Sequence, residues 1–351
     1  MRLGSILAID MLRLRLIFFL AIITASLASA QESAPYKILK TAKAGGAGGF
    51  DYVYADSAGR KLYIPRTGNG GHVTVFDLDT LEPAGDIPNS ARGAAVDPKS
   101  GHGFASSKPV VMWDSKTLAT IKTIDVEGGP DGIMFDPFNA RVWVFSHRAP
   151  NATVINAADG SIAGTLDLGG APEQAASDGA GHLYVDIEDK DNIAVVDAKT
   201  LTVTGHYDLT GKGGGCAGLA MDVKNGILFA ACREPQNMVI LNARDGKIIT
   251  TLPLGRGTDG AVFNPSTMEA FSSQGDGTLT IIKENSPTNF AVEQTVQTKV
   301  SAKTLTLDSK TGHILLIAAD FGPPSSPAPA GGRPSRGPMI PDSFSILVVG
   351  K

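Results

Sequence analysis

The chain holds only two cysteines, Cys216 and Cys232, in 351 residues, which limits it to one disulfide. Charge of either sign is scarce: 31 Lys and Arg stand against 35 Asp and Glu, a net charge of -4. With no basic footprint, nucleic acid is not an expected partner. Several catalytic signatures are missing, among them H-E-x-x-H, C-x-x-C-H, G-x-S-x-G and the P-loop. Gly213-x-Gly215-x-x-Gly218 has the letters of a dinucleotide fingerprint. It leads into a strand pattern, so no helix N-terminus would face a phosphate. Beyond residue 30 no segment carries a helical period. Long apolar runs are also lacking except at the start, where Arg13 and Arg15 precede Leu16 to Leu27 and Ala28-Ser29-Ala30 follows. That is the pattern of a secretory signal peptide over residues 1–30, cut after Ala30. The run is short of the ~20 residues a span needs. The expected mature chain is therefore exported, periplasmic or secreted, with no membrane span.

Glycine, by contrast, is abundant: 41 of 351, against a usual ~7%. Such a composition suits short strands joined by tight turns. Hydrophobic residues at 42% allow a globular body and exclude disorder throughout. An apolar stretch ending in Asp or Asn, a turn, and a second apolar stretch recur along the chain, as in YVYADSAGRKLYI, IMFDPFNARVWVF and LAMDVKNGILFAA. The turn markers are Asp56, Asp97, Asp136, Asp178, Asp222, Asn264 and Asp308, spaced 41, 39, 42, 44, 42 and 44 residues apart. A third and a fourth short strand follow in most units, as in IAVVDAKT and VTGHYDL. Four strands per ~42 residues, seven times over, predict an all-β, seven-bladed β-propeller across residues 31–351. The last unit lacks a fourth strand, and the segment Tyr36 to Ala42 is spare. Pairing the two would close the ring and hide both sheet edges. Residues 321–341 hold seven of the 21 prolines and read as an extended loop inserted in the last blade.

The stretches GHLYVDIEDKDNIAVVDAKTL, CAGLAMDVKNGILFAACREPQNMVIL and FSSQGDGTLTIIKENSP, with the closing LIAADFGP and SFSILVVG, resemble the YVTN-repeat, YncE-like β-propeller family. The resemblance covers residues 36–351 and points to a secreted bacterial subgroup. It implies a seven-bladed propeller outside the cytoplasm and no particular reaction, because related propellers include lactonases, dehydrogenases and plain binding scaffolds. Here the second unit opens with ARGAAVD, and Asn264 stands where the family has Asp.

Aligning the units exposes a candidate site. Five residues before each marker stand Asp51, Arg92, Asp131, Glu173, Ala217, Asp259 and Lys303. Innermost strands line the channel of a propeller, so these side chains should ring its mouth, above an apolar wall made by residues of the same parity. Six ionisable groups at one level is unusual, since charges are seldom buried without partners. His147 and Arg148 end a second strand at the same mouth. By contrast His102, His182 and His313 fall in one turn of different blades and should be structural. The acidic run Asp186, Glu188, Asp189 and Asp191 reads as a solvated loop. Two functions follow from the ring. One is a monomeric binding scaffold for a small ligand or protein partner. The other is a lactonase-like hydrolase, with a divalent cation held by acids among Asp51, Asp131, Glu173 and Asp259 as its only cofactor. Arg92 and Lys303 would repel that cation. Finally, a hairpin turn centred on Lys224 pairs residues whose numbers total 448, which sets Cys216 opposite Cys232 and predicts a disulfide.

Overall fold

The structure is a computed structural model that describes residues 34–351 except 47, 69, 90 and 324–336. The expected signal peptide lies outside the described residues. Seven antiparallel four-stranded blades form a ring, a seven-bladed β-propeller. The innermost strands of blades 2 to 7 are Ala94–Asp97, Pro130–Asp136, Pro172–Ser177, Gly218–Asp222, Thr258–Asn264 and Thr304–Asp308. In blade 1 the inner strand is broken into Gly49–Phe50 and Tyr54–Asp56. Among the described residues there is no α-helix, only a single 3-10 turn at Glu188–Lys190.

The repeat has a local cause. Each marker accepts a backbone N–H two or three residues on: Asp56 from Gly59, Asp97 from Lys99, Asp136 from Phe138, Asp178 from Ala180, Asp222 from Lys224, Asn264 from Ser266 and Asp308 from Lys310. The turn needs an oxygen acceptor, which Asp and Asn both supply. Asn264 therefore serves its turn as the aspartates serve theirs.

The apolar core is divided among the blade interfaces, seven buried clusters for seven contacts. Between blades 1 and 2, for example, Tyr63, Val73 and Val75 meet Ala94, Val96 and Trp113. Each inner strand is thus shared between the neighbours on its two sides. Successive side chains alternate between the preceding and following blade, not between channel and exterior. This corrects the expected apolar wall of a single parity: both Val53 and Tyr54, and both Ile133 and Met134, reach the channel.

The ring closes as expected. Strand Lys37–Lys43 pairs with Ser345–Gly350 and becomes the outer strand of the blade that holds His313–Ala318 and Thr304–Asp308. Beyond it, Tyr36 exchanges two backbone hydrogen bonds with the side chain of Gln294 in blade 6. The Tyr36 hydroxyl donates to Glu269, a fully buried carboxylate that also holds Lys351 at 2.8 Å. Both ends of the ring are therefore tied to one side chain of the neighbouring blade. In the Pro-rich insertion the flanking residues Phe321 and Met339 form an isolated bridge and pack on the blade 7–blade 1 cluster.

Candidate functional site at the channel mouth

The row five residues before the markers does come together. Arg92 bonds Asp51 at 2.9 Å and lies 3.4 Å from Asp131. Nε2 of His147 stands 3.3 Å from Asp131 and 3.7 Å from Glu173. Lys303 pairs with Asp259, which also accepts from Arg233 at 2.7 Å. Arg233 reaches Glu188 in turn. Ala217 contributes no charge, and Arg233 from the same blade supplies the cation at that place in the ring. Arg148 takes no part in the circuit; it is exposed on the groove beside His147.

Three of the four carboxylates of this row share one backbone device, and the fourth lies outside the strands. Asp131, Glu173 and Asp259 each sit in a register break of the inner strand, between Pro130 and Ile133, Pro172 and Ala175, and Thr258 and Ala261. Asp51 lies in the gap of the broken blade 1 strand. A bulge turns a side chain out of the alternating pattern, which frees these acids from the blade interfaces and aims them at the mouth.

The next row inward, four residues before the markers, reads Tyr52, Gly93, Gly132, Gln174, Gly218, Gly260 and Thr304. Glycine is required where inner strands approach one another: a Cβ on Gly218 would lie 2.6 Å from the carbonyl carbon of Gly260. The space the glycines leave is crossed by the two large members. Tyr52 donates its hydroxyl across the channel to Glu173 at 2.6 Å. Gln174 accepts from the N–H of Leu219 and of Ala261 and donates to Ala261 O, stitching blades 4, 5 and 6 together. A cavity of about 310 Å³ remains inside the channel, lined by Tyr52, Gln174, Ile133, Phe135, Val262 and Leu305 among others.

At the mouth the charges do not balance. Five carboxylates (Asp51, Asp131, Glu173, Glu188 and Asp259) face three permanent cations (Arg92, Arg233 and Lys303). Burial pushes Glu173 up to about 8, helped by its hydrogen bond with Glu188 and only partly offset by the Tyr52 hydroxyl. Burial also pushes Asp51 up to about 6 against the pull of Lys303. Asp131 is raised by burial too, while Arg92 and His147 draw it back. Beneath Glu173, Asp186 is wholly buried, and neither of its oxygens has a hydrogen-bond partner. Burial, reinforced by Glu173, holds it far above the usual carboxylate range.

Three potential metal donors converge: one atom each of Asp131, His147 and Glu173 lie within 4.8 Å of one another. Of the four acids expected to serve a cation, Asp131 and Glu173 are in this group, whereas Asp51 and Asp259 are taken up by Arg92, Arg233 and Lys303. A groove of about 690 Å³ opens over Asp131 and His147, rimmed by Arg92, Ser107, Lys108 and Arg148.

Cys216 and Cys232 are joined in a buried disulfide. The expected register was off by one: Asp222 pairs with Ile227 and Gly218 with Ala231, so paired numbers total 449. The slip would forbid a bridge inside the ladder. It does not here, because Cys216 precedes the strand Gly218–Asp222 and Ala217 N instead bonds Ala231 O. The acidic run is also corrected. Asp186 is core and Glu188 belongs to the ring, while Asp189 and Asp191 accept backbone bonds from Ala171 and Gly215. His102 and His182 make turn contacts, to Ala157 O and Asp178. Sequence reasoning missed Tyr52, Gln174, Glu188 and Arg233. Aligning the ends of the second strands, the row that contains His147, brings out Glu188 and Arg233. The row one residue after the charged ring brings out the other two.

No family model matches this chain, and no curated protein does. Among solved structures, a chain in a crystal structure of the mitotic checkpoint complex superposes with a TM-score of 0.69 at 10% identity, over 80% of this chain and 88% of that one. At that identity the likeness shows the propeller fold alone.

Proposed function

We propose that the chain is an exported binding propeller that presents its channel-mouth face, through Asp51, Arg92, Asp131, His147, Arg148, Glu173, Asp259 and Lys303, to a small ligand or protein partner. The observation that carries this reading is the charge imbalance of the mouth. A purely structural ring gains most by pairing every buried charge, and this one leaves an acidic excess on the side of Asp131 and Glu173, under an open groove. The resemblance to the YVTN-repeat propellers supports a fold used for binding. The buried disulfide supports export, together with the Arg13 to Ala30 pattern. Among the described residues no helix is long and apolar enough to cross a membrane.

A second reading, a metal-dependent hydrolase of lactone type, is favoured by one observation: His147 lies between two carboxylates and over the groove. Of the two cations that weighed against this reading, Lys303 is engaged by Asp259, whereas Arg92 bonds Asp51 and also stands 3.4 Å from Asp131. The binding reading is tested by following the thermal stability of the protein against a panel of small cations, anions and amines. Ligands of the mouth should raise the melting temperature of the wild type, and Asp131→Asn with Asp259→Asn should weaken that response while the fold persists. A double variant that responds as the wild type does would move the site elsewhere. Hydrolysis of a lactone panel, abolished by His147→Gln, would favour the second reading.

A further inference from the structure

We infer that Asp131, His147 and Glu173 form a three-donor site for a divalent transition-metal cation, whose open coordination position faces the basic groove and takes a small anion. The inference rests on the mouth being the binding face and goes beyond it by naming what binds and where.

Three observations converge on it. The first is geometric: two carboxylates and one imidazole from adjacent blades 3 and 4 lie close enough for one ion to touch all three. Two oxygens and one nitrogen make a mixed donor set that suits zinc or manganese better than calcium, which prefers oxygen alone. The second is a missing partner. Asp131 is nine-tenths buried and turns Oδ2 toward His147 at 3.3 Å, yet its Oδ1 accepts no hydrogen bond and has only the Arg92 charge, Nε at 3.4 Å, beside it. An acceptor this buried is normally satisfied. The third is charge. Asp259 is taken up by Arg233 and Lys303, Glu188 by Arg233 and Asp51 by Arg92. The acids left nearest His147 are Asp131 and Glu173, away from the ion pairs of Lys303.

The groove indicates what completes the coordination. Three protein donors leave a tetrahedral ion one position short. Over Asp131 and His147 that position opens into about 690 Å³ rimmed by Arg92, Lys108 and Arg148. Lys108 is engaged with Gly128 O at 2.9 Å. Arg148 is exposed beside His147 and offers a planar fork suited to carboxylate or phosphate. An anionic group bound to the metal and clamped by Arg148 uses every one of these features.

The test is titration of the purified, chelator-treated full chain with zinc, manganese and cobalt chlorides by calorimetry, with the visible spectrum of cobalt as reporter. The expected result is uptake of one equivalent, weakened at least ~10-fold in His147→Gln and in Glu173→Gln, and retained in Glu82→Gln, a change at an exposed residue outside the mouth. Adding inorganic phosphate or acetate to the cobalt-loaded protein should then shift its spectrum, less so in Arg148→Ala. Circular dichroism and melting curves identify any variant that fails to fold, and the Gln substitutions keep the volume of the ring. Absence of stoichiometric uptake by the wild type, or uptake by folded His147→Gln equal to it, overturns the inference. If metals do not bind but charged organic ligands still stabilise the wild type through Asp131 and Asp259, the binding face stands and only the metal site falls. If neither occurs, both fall.

Discussion

Asp51 shows how a single side chain in the ring sets a pH dependence. Its folded carboxyl titrates near 6, against an ordinary value of 3.8, because it is buried more than Lys303 and Arg92 compensate. A raised acid favours the folded state while it holds its proton, so its contribution is largest below pH 3.8 and is lost as pH rises through 6. The shift is worth up to ~3 kcal/mol. Asp51→Asn should therefore remove part of the fall in stability between pH 4 and 6. The measurement is denaturant unfolding at several pH values, and an unchanged slope would contradict the assignment. At this scale the sequence was partly legible. The ring row was readable because its members share one offset from the markers. Arg233 and Glu188 were not, because they reach the mouth from second strands and their offsets differ by one between blades. Asp186 was misread as solvated: nothing in a run of four acids tells that one of them begins inside a strand.

At the level of strands, the inner ring depends on close backbone approach. Gly218→Ala would drive a Cβ into the backbone of Gly260 and Ala261, and backbone cannot step aside as a flexible side chain can. A loss of about 1–3 kcal/mol is expected. Gly205→Ala, on an outer strand with no atom near its Cβ, should change little and serves as the control. Equal effects in the two variants would argue against tight inner-strand packing. The disulfide belongs to the same level. Closing a loop of this length contributes about 3 kcal/mol, and it fixes the end of the strand that carries Arg233. Replacing both cysteines by serine should lower the melting temperature, and reductant should do the same to the wild type alone. Mass spectrometry of the unreduced protein showing two free thiols would refute the bridge. The hairpin itself was legible from the repeat around Asp222, with the two cysteines flanking it. Its register was not, because the turn absorbs one more residue than a symmetric count assumes.

For the molecule as a whole, closure is the step on which the rest depends. The four-strand period and the missing strand of the last blade made it readable from sequence. The tie between Tyr36, Gln294 and Glu269 was not, since it joins residues more than 230 positions apart. Removing residues 31–43 should expose the edge of Ser345–Gly350 and leave Glu269 without the Tyr36 hydroxyl. A large drop in thermal stability, with a tendency to associate through that edge, is the expected outcome. A truncated protein as stable as the wild type would show that the closing strand is dispensable.

The tie at Glu269 also bears on where the polypeptide needs to be cut at all. Tyr36 and Lys351 bond the same carboxylate, so the two ends of the ring already lie side by side. A short Gly/Ser link could join them without bending a blade, and the chain could be reopened at another exposed turn, such as the one that follows Asp222. The order in which blades leave the ribosome would change, while every interface between them would persist. Such a circularly permuted propeller should keep its melting transition within a few degrees if the ring, not the direction in which it is written, holds the structure.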